Sequence, residues 1–146
     1  RRFLDARAAS CAGLPEAGGI LLGSYRGPDL EVLACTVPGP ADDRRLTAFT
    51  RADPLHQAAA TSAWCASGGT MTFVGEWHTH PAGGVAPSAT DLRTWRRLAK
   101  GNGRPMAFAL VVPGTWGVFL AGPGLFRPVV TRPSPVEHSD LGVVFA

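Results

Sequence analysis

The chain has 146 residues, of which 45% are hydrophobic and 17% charged, with a formal net charge of +3. These values exclude a disordered or low-complexity polypeptide and fit one globular domain, able to bury about 68–70% of its unfolded surface. No apolar run approaches the ~18–20 residues of a membrane span.

The sequence starts at Arg1 and not at Met, as expected of a cropped or processed N-terminus, and Arg1-Arg2 leads into a mixed stretch, so no secretory signal is expected. Residues 3–13 place Phe3, Leu4, Ala8 and Cys11 at roughly helical spacing and stop at Gly13. Residues 18–26 are apolar on both faces and predict a strand inside a sheet. Gly27-Pro28-Asp29 then turns the chain into a second strand over Leu30–Val37, a hairpin. After the loop Pro38–Asp43, Arg45–Arg51 reads as one further strand. Asp53-Pro54 opens a helix, with an acid at the N-cap and Pro at the first helical position. That helix runs to about Ala66 and stops at Gly68-Gly69, with Trp64 and Cys65 expected in the core and His56 an isolated first-turn histidine.

Thr70–His80 predicts a strand with Met71, Phe73 and Gly75 on one face, ended by Pro81. A Gly/Pro loop follows, and Ser88–Lys100 predicts a helix closed by Gly101-Asn102-Gly103. Its basic face (Arg93, Arg96, Arg97, Lys100) lies opposite Leu92, Trp95 and Ala99 and reads as a solvated face or a rim for an acidic protein partner. No aromatic stacking platform accompanies it, so no nucleic-acid partner is expected. Pro105–Val112 predicts a central strand, Val112-Pro113-Gly114-Thr115 a type II turn, and Trp116–Ala121 the returning strand. Beyond Ala121, residues 122–146 are Pro-rich and hold room for one short edge strand at Leu125–Val130; Leu141–Phe145 reads as a last strand or a tail, and His138 is isolated. Cys11, Cys35 and Cys65 are odd in number and widely spaced, which argues for three buried free thiols in a reducing cytoplasm. Together these elements predict a single α/β domain, a mixed central sheet layered between helices, with a core over about residues 3–121.

The chemistry concentrates in Gly75-Glu76-Trp77-His78-Thr79-His80-Pro81, followed by Ser88-Ala89-Thr90-Asp91. In an extended strand His78 and His80 point to the same side. Ser88 as N-cap and Asp91 three residues on would aim the Asp91 carboxylate back at the strand end. Two imidazoles and one carboxylate suit a zinc ion with an open fourth position. The same donor set also forms the facial triad for non-haem iron.

Upstream, Glu16 precedes the apolar run Ala17-Gly18-Gly19-Ile20-Leu21-Leu22-Gly23. Glu16 with this run, His78-x-His80-Pro81, seven intervening residues and Ser88-x-x-Asp91 together resemble the JAB/MPN domain carrying the JAMM metalloprotease motif. The resemblance covers about residues 3–121 and implies a cytidine-deaminase-like α/β fold. It also implies Zn2+ held by His78, His80 and Asp91, with Glu16 as general base and then acid and Ser88 as donor to the oxyanion. The implied reaction is hydrolysis of an amide or isopeptide bond at the C-terminus of a ubiquitin-like protein. Compact size and Glu76-Trp77 before His78 are similar to stand-alone prokaryotic JAB peptidases. Some of these belong to antiphage conjugation operons with E1-like and E2-like partners. Only residues 101–104 separate the motif helix from the next strand, so the long insertions with which eukaryotic members recognise ubiquitin chains are lacking here. Three alternatives stand beside this reading: a zinc hydrolase of short peptides or sulfur-carrier adducts, a non-catalytic MPN scaffold, and an iron oxygenase.

Overall fold

The computed structural model describes residues 1–122 and 143–145. Its elements are α1 (Arg2–Ser10), β1 (Gly18–Arg26), β2 (Asp29–Cys35), β3 (Asp43–Arg45), β4 (Ala48–Thr50), α2 (Leu55–Ala66), β5 (Thr72–Thr79), α3 (Ala89–Asn102), β6 (Met106–Val112), β7 (Thr115–Ala121) and β8 (Val143–Phe145). Six strands form one sheet in the order β7-β6-β5-β1-β2-β8. The β5–β6 pair is parallel and every other pair antiparallel, so the sheet is mixed. A parallel pair needs a crossover, and α3 supplies it.

Helices cover both faces. On one side α1 brings Ala8 and Cys11 against Leu21, Val74, Trp77, Ala109 and Val111. On the other, Trp95 and Ala99 of α3 pack on Met106, Phe108, Leu110 and Phe119. All seven residues of β6 are therefore buried, as expected of a strand covered twice. Trp95 stacks on Phe108 with centroids 4.8 Å apart, and Phe3 meets Trp77 edge-on at 4.8 Å.

β5 carries the feature that orients the site. Leu21 pairs with Gly75 but Leu22 pairs with Phe73, which leaves Val74 as a bulge. The extra residue reverses the alternation of side chains. Phe73, expected on the face opposite the histidines, instead packs toward α3, while Val74 and Trp77 both reach the α1 side. Gly75 sits in the bulge at φ +157°, where a Cβ would lie 1.6 Å from the Ala107 carbonyl oxygen. No other residue type fits that approach.

Four further expectations are corrected. The segment read as one strand over Arg45–Arg51 is a two-stranded hairpin, β3 and β4, with Leu46-Thr47 at its turn. Trp64 and Cys65, expected in the core, are exposed. Helix α2 instead turns inward the face carrying His56, which is buried, and Ala59, Ala60 and Ala63, which are half-buried. Of the three cysteines only Cys11 is buried; Cys35 is half-buried, and all three are free thiols. Helix α2 begins one residue later than expected, but Asp53 still caps it, since its Oδ1 accepts the Leu55 N–H at 2.9 Å. Within the segment read as a last strand or a tail, Val143–Phe145 forms β8, paired with β2. The edge strand expected at Leu125–Val130 and His138 fall outside the described residues.

Candidate metal centre and cleft

β5 runs in beside β1, and its backbone extends one residue past Thr79, where the His80 N–H donates to the Val111 carbonyl at 2.8 Å. That anchor keeps His80 in register, so His78 and His80 project from the same side of the strand. At the far side of the loop, Ser88 is the N-cap of α3 and Asp91 its third residue. Ser88 Oγ accepts the Asp91 N–H at 3.2 Å, and the Ser88 N–H donates to Asp91 Oδ2 at 2.7 Å. This reciprocal box holds the Asp91 carboxylate at the helix N-terminus. The cap itself uses only a lone pair of Ser88 Oγ, and the Ser88 hydroxyl also contacts the Asp91 carboxylate.

The three side chains converge. His78 Nε2 lies 3.1 Å from His80 Nε2 and 3.2 Å from Asp91 Oδ1, and His80 Nε2 lies 3.5 Å from Asp91 Oδ2. Tetrahedral ligands with metal–N and metal–O lengths of about 2.0–2.1 Å stand about 3.3 Å apart. The observed separations bracket that value, so these residues fit a small divalent cation. His80 also hydrogen-bonds the Gly84 backbone, which leaves Nε2 as the nitrogen facing the other two side chains. Behind them Trp95 closes the site, its ring 6.4 Å from that of His78.

Electrostatics follow from this packing. Burial alone would raise the Asp91 carboxyl, but a hydrogen bond and charge from His78 and the Ser88 contacts hold it well below the usual carboxylate range. His80 is lowered by burial and by neighbouring His78, partly opposed by Asp91. Both shifts favour the forms that bind a cation, an ionised carboxylate and a neutral imidazole.

Glu16 is brought to the same cleft from the loop before β1. Its neighbour Ala17 is tied to β5 twice: Ala17 N–H donates to Thr79 Oγ1 at 2.9 Å, and Thr79 N–H donates to the Ala17 carbonyl at 2.8 Å. Gly18 pairs with His78 in the sheet, so Glu16 stands two residues from the partner of that histidine. It is 9% exposed, and burial raises its carboxyl, with His78 lowering it and Asp91 raising it. Glu76, another carboxylate of the cleft, is paired with Arg51 at 2.5 Å and so is committed elsewhere. The cleft of about 860 Å3 is lined by Glu16, His78, His80, Ser88 and Asp91, and also by the β3–β4 hairpin from Leu46 to Thr50. The hairpin's part in this wall has little local sequence signal, since Asp43-Arg44-Arg45 is not β-prone and Leu46-Thr47 is not a typical turn pair.

His56 is not isolated. It is 2% exposed, with Nδ1 2.6 Å from Thr36 Oγ1 and Nε2 2.9 Å from Asp42 Oδ2. The partners form a buried strut between α2, the end of β2 and the hairpin base, apart from the His78, His80 and Asp91 cluster.

The family model described as prokaryotic homologs of the JAB domain matches residues 5–125. A Pseudomonas aeruginosa protein named CD-NTase/cGAS isopeptidase is 39% identical over 113 residues, which cover 77% of this chain and 69% of that protein. A Vibrio cholerae protein of the same name is 42% identical over 83 residues, covering 57% of this chain but only 53% of the relative. A solution structure of a Desulfitobacterium hafniense protein superposes with a TM-score of 0.55 at 25% identity, over 83% of this chain and 78% of that one. With the sheet order, the convergent side chains and the matched span in agreement, this chain belongs to the family of prokaryotic homologs of the JAB domain.

Proposed function

We propose that this protein is a zinc-dependent isopeptidase that hydrolyses the amide bond at the C-terminus of a conjugated protein. The observation that carries the reading is the approach of Glu16, buried beside two imidazoles and a carboxylate at tetrahedral-ligand separations. Zinc, held by His78, His80 and Asp91, would act as a Lewis acid and lower the pKa of a bound water toward ~7.

The chain's own groups supply the rest. Glu16 accepts a proton from the attacking water at its carboxylate and returns it to the departing amine. Its raised carboxyl, a consequence of burial, makes it a stronger base than an exposed glutamate. Ser88 Oγ donates to the oxyanion of the tetrahedral intermediate, a contact of a kind typically worth ~10²–10³ in rate. Asp91 supplies the carboxylate ligand and, through the capping box, is itself oriented by α3.

Relatives named CD-NTase/cGAS isopeptidase favour a conjugate that contains a CD-NTase. A ubiquitin-like protein is the second candidate for the released group, and its Gly-Gly end would suit a narrow cleft. Either fits a bacterial conjugation pathway with E1-like and E2-like partners, acting in the cytoplasm in defence against phage.

The test uses two reporter conjugates, a fluorescent protein joined by an amide to the C-terminal carboxyl of a CD-NTase or of a ubiquitin-like protein. The zinc-loaded protein should cleave at least one, while His78→Ala should lose both zinc and cleavage. Cleavage undiminished after chelation, or wild-type zinc content in His78→Ala and Asp91→Ala, refutes the assignment.

A further inference from the structure

The β3–β4 hairpin does more than line the cleft. Its first strand grips the backbone around Glu16 at three points. The Glu16 N–H donates to the Arg45 carbonyl at 2.7 Å. Arg44 Nε donates to the Glu16 carbonyl at 3.0 Å, and Arg44 Nη2 donates to the Pro15 carbonyl at 3.2 Å. On its other side, the Glu16 segment is tied to β5 through Ala17 and Thr79.

The hairpin is in turn fixed at its base. Asp42 Oδ1 accepts the N–H groups of Ala52 and Asp53, each at 2.8 Å, and so joins the two ends of the hairpin. Asp42 Oδ2 accepts the Gly39 N–H at 2.8 Å and lies 2.9 Å from His56 Nε2. The Asp42 side chain is fully buried. A continuous set of hydrogen bonds thus runs from helix α2 through Asp42 and the hairpin to Glu16.

We infer that Arg44 is a positioning residue, whose guanidinium fork on the Pro15 and Glu16 carbonyls fixes the Glu16 carboxylate over the metal centre. The inference rests on Glu16 being the general base. It follows from geometry: Glu16 precedes the first residue of β1 by two positions and has no sheet partner of its own, so the hairpin is what restrains its N-terminal side. Arg44 suits the task because a planar guanidinium donates to two adjacent carbonyls from two nitrogens in a fixed fork, whereas an ammonium's three donors leave a single nitrogen. Its donors are directed at these two carbonyls and not at His78, His80, Asp91 or Ser88, so it acts through Glu16.

The test compares Arg44→Ala, Arg44→Lys, Glu16→Gln and the double variant Glu16→Gln/Arg44→Ala. The first readout needs no substrate and no metal: amide hydrogen exchange at Glu16 and Ala17, followed by NMR. Arg44→Ala should speed exchange at these two amides by about 10-fold, leaving Met106–Val112 of β6 unchanged, because only a local restraint is lost. The second is cleavage of the CD-NTase and ubiquitin-like reporter conjugates. A misplacement of the order of 1 Å costs up to about 10²-fold in rate, so Arg44→Ala should lower kcat by about 10- to 100-fold with KM within about twofold and full zinc content. Arg44→Lys should recover only part of the loss. In the Glu16→Gln background, Arg44→Ala should cost less than about twofold, because there is no base left to position.

Unchanged exchange at Glu16 overturns the inference, as does an equal loss of kcat in both backgrounds, which would mark a general structural effect. Should Glu16→Gln itself cleave at the wild-type rate, the base assignment fails, and the positioning role with it. An inactive Glu16→Gln beside a fully active Arg44→Ala overturns the positioning role alone.

Discussion

Asp91 holds two tasks that a single substitution can separate. It closes the capping box of α3 and it faces His78 and His80. In Asp91→Ala the Ser88 cap on the residue-91 N–H survives, since it needs only backbone. What goes, besides the contact with His78, is the Ser88 N–H bond to Oδ2 and a negative charge at a helix N-terminus. The first is solvent-accessible and worth about 0.5–1 kcal/mol; the second is worth about 0.3–1 kcal/mol. For metal-free protein these two sum to ~0.8–2 kcal/mol, or about 3–7 °C in Tm for a chain of this size, and loss of the Asp91 contact with His78 adds to the penalty. Zinc at a thousandfold excess over its dissociation constant stabilises the wild type by ~4.1 kcal/mol, or about 12–16 °C. With one of three ligands gone, that increment should shrink to ~4 °C or less. The assay is calorimetry of both proteins with zinc and with chelator. A chelated Asp91→Ala as stable as chelated wild type refutes the capping argument. A zinc increment equal to that of wild type refutes the ligand role.

Other outcomes follow from burial and charge. Burial would raise the Asp42 carboxyl, but hydrogen bonds from His56 and from the Asp53, Gly39 and Ala52 N–H groups hold it well below the usual carboxylate range. A depressed carboxyl contributes stability that is present above the unfolded pKa and lost as pH falls through the folded one. Asp42→Ala should therefore cost about 3–5 kcal/mol at neutral pH, a penalty that narrows below about pH 4; an equal penalty at pH 3 and pH 7, read from urea unfolding, contradicts this. Gly75→Ala forces a Cβ to 1.6 Å from the Ala107 oxygen, so it should fold poorly or lose more than ~3 kcal/mol, checked by the same unfolding experiment. Thiol titration of the native protein should find Cys65 reacting fast, Cys35 slowly and Cys11 only on unfolding; a fast-reacting Cys11 would contradict its place under α1.

Most strands and the cluster of His78, His80 and Asp91 are legible in the sequence because their signals are local. Unbroken apolar runs give β1 and β6, Gly/Pro turns give the β1–β2 and β6–β7 hairpins, and the Ser88-to-Asp91 spacing gives the cap of α3. What stays hidden depends on partners far along the chain. His56 looks isolated until the fold brings Asp42 and Thr36 to it, and the Ala-rich α2 has no large apolar stripe to say which face is inward. Size alone would put Trp64 in the core, although the inward stripe through buried His56 and half-buried Ala63 leaves it outside. The bulge at Val74 has the same character. Alternation along 71–80 predicts one face for Phe73 and the other for His78, and only the pairing of Leu21 and Leu22 across two strands shows the reversal. The grip of Arg44 on Glu16 spans 28 positions and leaves no mark in either local sequence.

The central claim is that Glu16 moves the proton, and one variant tests it most directly. Glu16→Gln keeps the size and the hydrogen-bonding reach of the side chain but cannot accept a proton from water. Zinc-loaded Glu16→Gln should cleave the reporter conjugates with kcat lower by ~10²–10⁴-fold, with KM and zinc stoichiometry near wild type. Cleavage at the wild-type rate by the folded, zinc-loaded variant would contradict the mechanism.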